Sequence, residues 1–366
     1  MSDLSEMLQM LADQAERLLD DRATGEHLKS LLEAPGSFDH ELWKQCAELG
    51  WPAAAVEERQ GGLGLGFEAL SLLNEKLGAH TVSLPLIPAA VIADALAQAG
   101  TDDPSAAALA AGEKIGCLAF GEVGESGLPR SPTLRLDNGK LRGVKALAPF
   151  AAIADIALCH AATDDGVALV LVALDQPGVT REIMGTIDNA RAAATLRFDQ
   201  AEAVRIDQGE GLSASVRAAA LAAIATAFEQ VGGTQSCLAM AVDYAKERIV
   251  FGQPIGKFQA VKHKLSDIYT DLEIARGCAI DALASVGRDS VTLPAMAAMA
   301  RLAGIRAYEF ASRETIQIYG GIGVTWEAAP QHHYRRSRAL ALELGAAPFW
   351  RELLVDDVFT LAEMGE

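Results

Sequence analysis

The hydrophobic pattern of this chain changes period twice, and that change limits the folds open to it. Up to about residue 112, apolar residues recur at helical spacing in stretches 4–19, 40–49, 67–77 and 89–99. From about 113 to 207 the helical spacing disappears. The short apolar runs IGCLAF, LRLDNGKLRGV, DIALCHAA, VALVLVAL and AATLRF sit between turn signals there. Asp137-Asn138-Gly139 and Asp164-Asp165-Gly166 are hairpin-turn candidates, since Asn and Gly tolerate positive φ. Antiparallel strands at this spacing predict a small barrel or sandwich. From about 212 onward the period is helical again. Leu265, Ile268, Leu272, Ala275 and Ala279 form one stripe, and Thr292 before Pro294 marks another helix start. Ala-rich helices joined by short turns predict a closely packed bundle. The expected fold is α+β and mostly α, with an N-terminal helical domain over 1–112, a β domain over 113–207 and a helical bundle over 208–366.

The 366 residues are 50% hydrophobic and 22% charged, a globular balance with enough chain for two or three domains. The net charge of −18 would repel a polyanion, so nucleic acid is not an expected partner. Five Cys stand at 46, 117, 159, 237 and 278. They show neither a CxxC pair nor zinc spacing, which points to reduced thiols and a cytoplasmic setting, with no metal. The N-terminus lacks the basic and apolar regions of a signal peptide, and Leu4, Leu8, Leu11 and Leu18 mark an acidic amphipathic helix instead. No run of 18 or more apolar residues predicts a membrane span.

The stretch RIVFGQPIGKFQ, 248–259, carries the most chemistry. Arg248 offers a planar fork of donors suited to phosphate oxygens. Gly252 and Gly256 let backbone approach a ligand closely. Together they fit a diphosphate, and equally an ordinary helix–helix turn with a solvated Arg. GGLGLG at 61–66 follows a charged run and not an apolar strand, so a structural turn is the better reading than a dinucleotide loop. In QIYGGIGVTWE, 317–327, Gly320 can end a helix and Gly321 can let backbone face a phosphate or ring, or both can serve a plain C-cap. HHYRRSR, 332–338, reads as a phosphate or acidic-partner contact, or as a solvated helix face. His332 and His333 would diverge by about 100° on a helix and make no metal pair. His263 falls on the polar side of its helix.

Three ordered motifs resemble the acyl-CoA dehydrogenase family over nearly the whole chain: GWPAAAVEERQGGLGLGFEALSLLNEKLG at 50–78, YAKERIVFGQPIGKFQAVKHKLSD at 244–267, and QIYGGIGVTWE. The resemblance implies an α domain, a small β domain and a C-terminal four-helix bundle. It implies FAD as cofactor, an acyl-CoA thioester as substrate and an oligomer in lipid or steroid side-chain β-oxidation. A glutamate removes the α-proton while hydride passes to flavin N5. FAD lies across a subunit boundary in such proteins. By the match, Arg248, Phe251, Gln259, Gln317 and Gly321 would hold its ADP part.

Departures from the family pattern fall at the reacting end. The two usual base positions carry Leu344 and Ala222, so the catalytic residue is unknown, with Glu343 one place away from the first. The flavin-contacting segment reads Gly121-Glu122-Val123-Gly124-Glu125-Ser126-Gly127, and the stretch that packs on the flavin ring is Leu147-Ala148-Pro149. Pro149 brings neither an N–H nor a hydroxyl. Three readings follow. The chain is the flavin-poor subunit of a heteromeric (α2β2) dehydrogenase, a type associated with bacterial steroid degradation. Or it is a self-sufficient homo-oligomer using Glu343 as base. Or it is an assembly module that kept the fold.

Overall fold

A computed structural model describes residues 3–125, 127–287 and 292–364; Ser126 of the flavin-contacting segment lies outside them. Six helices come first: α1 (Asp3–Arg22), α2 (Gly25–Glu33), α3 (His40–Glu48), α4 (Gly66–Ala79), α5 (Leu86–Gln98) and α6 (Ser105–Ala110). Eight strands follow: β1 (Gly116–Ala119), β2 (Arg135–Asp137), β3 (Lys140–Ala148), β4 (Ile156–Thr163), β5 (Gly166–Ala173), β6 (Val179–Ile183), β7 (Ala194–Glu202) and β8 (Val204–Arg205). They pair in the order β6-β7-β3-β2-β4-β5-β8, with β1 parallel to β4. The chain then returns to helices: α7 (Gly211–Glu247), α8 (Gln259–Ser285), α9 (Leu293–Tyr319), α10 (Ala329–Leu340) and α11 (Ala347–Met364). A ribbon of β9 (Ile249–Val250) and β10 (Gln253–Pro254) separates α7 from α8. A helical part, a curled sheet and a helical bundle therefore succeed one another as the two changes of period predict.

Both predicted hairpin turns form. Asn138 and Gly139 have φ of 49° and 73°, the paired positive values a two-residue turn between twisted strands needs, and Thr163 pairs with Gly166 across the second turn. GGLGLG is a structural turn, with Gly61, Gly64 and Gly66 all at positive φ. The helices α2 and α6 and the strands β6 and β8 fall where no periodic signal had marked an element. Each is short or solvent-facing, and a short element shows too few turns of its period to be recognised.

The centre of the molecule is α7, 37 residues long. Its length and composition would suit a membrane span, yet 72% of its apolar window is buried inside the protein, where it serves as the core helix. One apolar core lies beneath α4, α5 and the sheet, and a second lies within the bundle of α7, α8 and α9. Small residues set the approach of α4 to α7. A Cβ on Gly78 would come 1.9 Å from the Glu229 carbonyl oxygen, and one on Gly232 would come 1.9 Å from that of Glu75. This crossing puts Glu229, a carboxylate on an otherwise apolar helix, next to the loop that follows α4.

Candidate functional site

Helix α7 ends at Glu247, where the N–H of Arg248 still reaches the Tyr244 carbonyl at 2.9 Å. The ribbon turns at Phe251 and Gly252, both at positive φ (52° and 77°). Gly accepts that conformation freely; Phe251 accepts it at a steric cost and projects its ring outward, 92% exposed, edge-on to Phe258 at 6.4 Å. Arg248 and Gln259 are also exposed.

The second half of this surface comes from the end of α9. Gln317 is exposed in the last turn, and Gly320 at φ 66° stops the helix. Gly321 has open space where a side chain would stand. A tyrosine pair that the motif reading did not single out unites the halves. Tyr244 and Tyr319 stack at 4.1 Å and 14°, and each hydroxyl donates at 3.4 Å to the opposite helix, Tyr244 to the Tyr319 carbonyl and Tyr319 to that of Met240. The stack holds the end of α7, from which Arg248 departs, against the end of α9, which bears Gln317. The signal was present in the sequence as two aromatics beside the two Gly-rich motifs, but nothing local says that they meet.

Beside Leu344 the interior offers only a narrow, partly open cavity. Leu84, Ile87, Phe150, Thr226, Glu343 and Leu344 are among the residues around a cavity of about 30 Å³. One water needs about 10–15 Å³. Leu344 stands at φ 59°, and Ala222 is wholly buried in α7. Neither candidate base position carries a carboxylate, and Glu343 is engaged elsewhere. Arg191 donates to it through Nε at 2.8 Å and Nη2 at 2.6 Å, a two-pronged clasp. Arg191 also reaches Glu229 at 3.2 Å, and Arg336 bonds that same carboxylate at 2.9 Å and Asp188 at 2.5 Å. Burial opposes the charge on Arg191, but Glu229 and Glu343 outweigh it and hold the guanidinium protonated beyond its ordinary range. Arg301, at the edge of the cluster, donates to the Glu343 carbonyl at 2.7 Å, and burial lowers it to about 10.

This cluster corrects one expectation. The basic run at 332–338 is not simply a solvated face: Arg335 and Arg338 are half-buried, and its other charged and imidazole groups are turned inward. His332, His333 and Arg336 are buried, with Arg336 1% exposed. Carboxylates at 188 and 229, remote in sequence, neutralise Arg336. His263 is exposed, as expected.

The sheet side of the site is also altered. Glu122 is fully used within the protein. It accepts from Lys145 Nζ at 2.7 Å, from Thr133 N–H and hydroxyl at 2.7 and 2.6 Å, and from Leu134 N–H at 3.1 Å. Burial would raise its pKa, but these bonds bring it down to about 2. Leu147, at φ 47°, is 46% exposed, and Pro149 lines the narrow cavity beside Leu344. No aromatic face and no hydroxyl stand at these two positions.

A helical part, a curled sheet and a bundle, with an arginine ribbon beside a glycine-ended helix, define a flavin-dependent dehydrogenase fold. The chain belongs to the acyl-CoA dehydrogenase family. Residues 5–111 match the family's N-terminal domain and residues 209–357 its C-terminal domain. It is 30% identical to acyl-CoA dehydrogenase IpdE2 of Mycobacterium tuberculosis over 91% of each chain. A single-site variant of the Tcur3481-Tcur3483 steroid ACAD superposes with a TM-score of 0.90 at 29% identity, covering 98% of this chain and 99% of the other. The ChsE4-ChsE5 complex from Mycobacterium tuberculosis gives 0.87 at 25%, covering 98% of each. FAD is the family's cofactor. The residues here fit its ADP part, with an exposed guanidinium, an exposed amide and open backbone at Gly321. The segment at 147–149 offers the ring only an aliphatic side chain and a proline.

Proposed function

We propose that this chain is the flavin-poor subunit of a heteromeric acyl-CoA dehydrogenase, formed by domains 1–112, 113–207 and 208–366. Arg248, Phe251, Gln259, Gln317 and Gly321 hold the ADP part of an FAD whose flavin ring rests on a homologous partner. That partner supplies the glutamate that removes the α-proton of the acyl-CoA. The observation that carries this reading is the state of the chain's own reacting end. Leu344 stands at the base position, and Glu343 is clasped by Arg191 against a cavity too small for an acyl thioester. A carboxylate held in this two-pronged clasp has one lone pair on each oxygen engaged and its orientation fixed by the guanidinium. A steroid-derived acyl-CoA is the substrate class we favour, on the strength of the steroid ACAD and ChsE4-ChsE5 likenesses, and the cytoplasm is the setting.

The test is expression of the chain alone and beside a homologous dehydrogenase subunit, followed by flavin content and turnover with an artificial electron acceptor. Little flavin and no turnover alone, with both present in the co-purified complex, is the expected result. A lone homo-oligomer with full FAD and turnover would establish the self-sufficient reading. Binding of neither FAD nor acyl-CoA in either preparation would establish the assembly-module reading.

A further inference from the structure

Behind the ion cluster, at the junction of the three parts of the molecule, lies a second and smaller cavity of about 10 Å³. Leu32 of α2, Thr81 after α4, Asp188 between β6 and β7, and His332 and Arg336 of α10 line it. Asp188 is 2% exposed and His332 6%. The Oδ2 atom of Asp188 accepts from Arg336 Nε. Asp188 Oδ1 and His332 Nδ1 are buried and meet no hydrogen-bonding group among the described residues. A buried polar atom left without a partner loses its hydration without compensation, the more so when charged, so two of them around one cavity call for a shared partner.

We propose that this cavity is a built site for a single structural water bridging Asp188 Oδ1 and His332 Nδ1. The volume suits one molecule, at about 10–15 Å³ each. Water donates one hydrogen to the carboxylate oxygen. It donates the other to Nδ1 of the Nε2–H imidazole, or accepts from Nδ1–H of the other tautomer. A metal ion is disfavoured because the Arg336 guanidinium shares the wall, and a hard cation needs six or more oxygen ligands. Burial lowers the His332 pKa and so favours the neutral ring that can accept.

The surrounding bonds show what such a water completes. Asn189 Nδ2 donates to the Leu32 carbonyl at 2.8 Å, and Arg335 donates to the Ile187 carbonyl at 3.0 Å. Arg336 donates to the Thr81 and Val82 carbonyls at 2.9 and 3.0 Å and to the Ser83 hydroxyl at 2.6 Å. The water adds the link between Asp188 and His332 to this seam.

An atomic-resolution crystal structure of the purified protein or its complex tests the proposal, with a parallel soak in a rubidium or thallium salt. A density peak about 2.7–3.2 Å from both atoms, with no anomalous signal, is expected. An anomalous peak would mean a cation site and overturn it, as would side chains rotated to bond one another with no peak between them. In solution, oxygen-17 water relaxation dispersion should detect a long-lived water that His332→Phe lacks. An unchanged dispersion in a folded His332→Phe protein would also overturn the proposal, and if that variant fails to fold, the wild-type density decides.

Discussion

Arg191 clasps Glu343 with two nitrogens, at 2.8 and 2.6 Å, and so takes up the carboxylate adjacent in sequence to the position where a catalytic base would stand. The pair lies at the meeting point of strained backbone. Phe150, Ala192 and Leu344 have φ of 61°, 43° and 59°, and the Phe150 N–H bonds the Arg191 carbonyl at 2.7 Å. Non-glycine residues hold such values only where packing imposes them. The charges of Arg191, Glu229 and Glu343 are therefore spent on one another.

Glu343→Gln in the co-purified complex should leave turnover within about twofold. Loss of a true general base would lower it by about 10²–10⁴. Steady-state kinetics with the complex separates the two, and a large fall in kcat would place the base in this chain after all.

Removing the other partner should cost stability and not chemistry. Arg191→Met leaves the buried Glu229 and the part-buried Glu343 with less positive charge. Breaking a buried ion pair from one side costs about 3–5 kcal/mol. Urea denaturation should show that loss, and a second substitution, Glu343→Leu, should recover part of it.

Arg248→Ala should weaken flavin retention about 10–100-fold, the equivalent of about 1.5–3 kcal/mol for a charge-assisted bond to phosphate. Flavin absorbance per complex after gel filtration reports it. Retention at the wild-type level would mean that the ribbon does not meet the cofactor.

Gly78→Ala should destabilise the chain by about 3 kcal/mol or more, because the added carbon meets a carbonyl oxygen in the backbone of α7, which cannot swing aside. Gly124→Ala faces no such obstacle, although its positive φ brings some strain, and should cost less in the same thermal melt.

Stability should fall as pH drops below about 6.5. Burial, then Lys145, lowers His160 to about 4, and burial, then Arg336, lowers His333 to about 3. The His160 ring is held between the Ser215 hydroxyl and the Pro129 carbonyl, each at 2.9 Å. Between the unfolded value of about 6.5 and these folded values, the unfolded chain binds protons that the native one refuses. Stability is therefore present above 6.5 and lost toward pH 4, by up to about 1.4 kcal/mol per pH unit for each ring. Denaturant midpoints at pH 7, 6 and 5 measure it, and His160→Gln should flatten the dependence.

The order of helix, sheet and helix was legible in the sequence because period is a local property, written in each stretch by its own alternation of apolar and polar residues. The Asn138-Gly139 turn and the absence of a carboxylate at 222 and 344 were legible for the same reason. What only the tertiary structure decided is which distant groups meet. A run of bases at 332–338 looks solvated until Asp188 and Glu229 are folded against it. Tyr244 and Tyr319 look like two unrelated aromatics until their stack joins the end of α7 to the end of α9. Glu343 looks like a free carboxylate until Arg191, 152 residues away, is found closed on it. Burial and charge pairing depend on neighbours that only the fold brings together, so a chain's elements can be read along its length while the fate of its charges cannot.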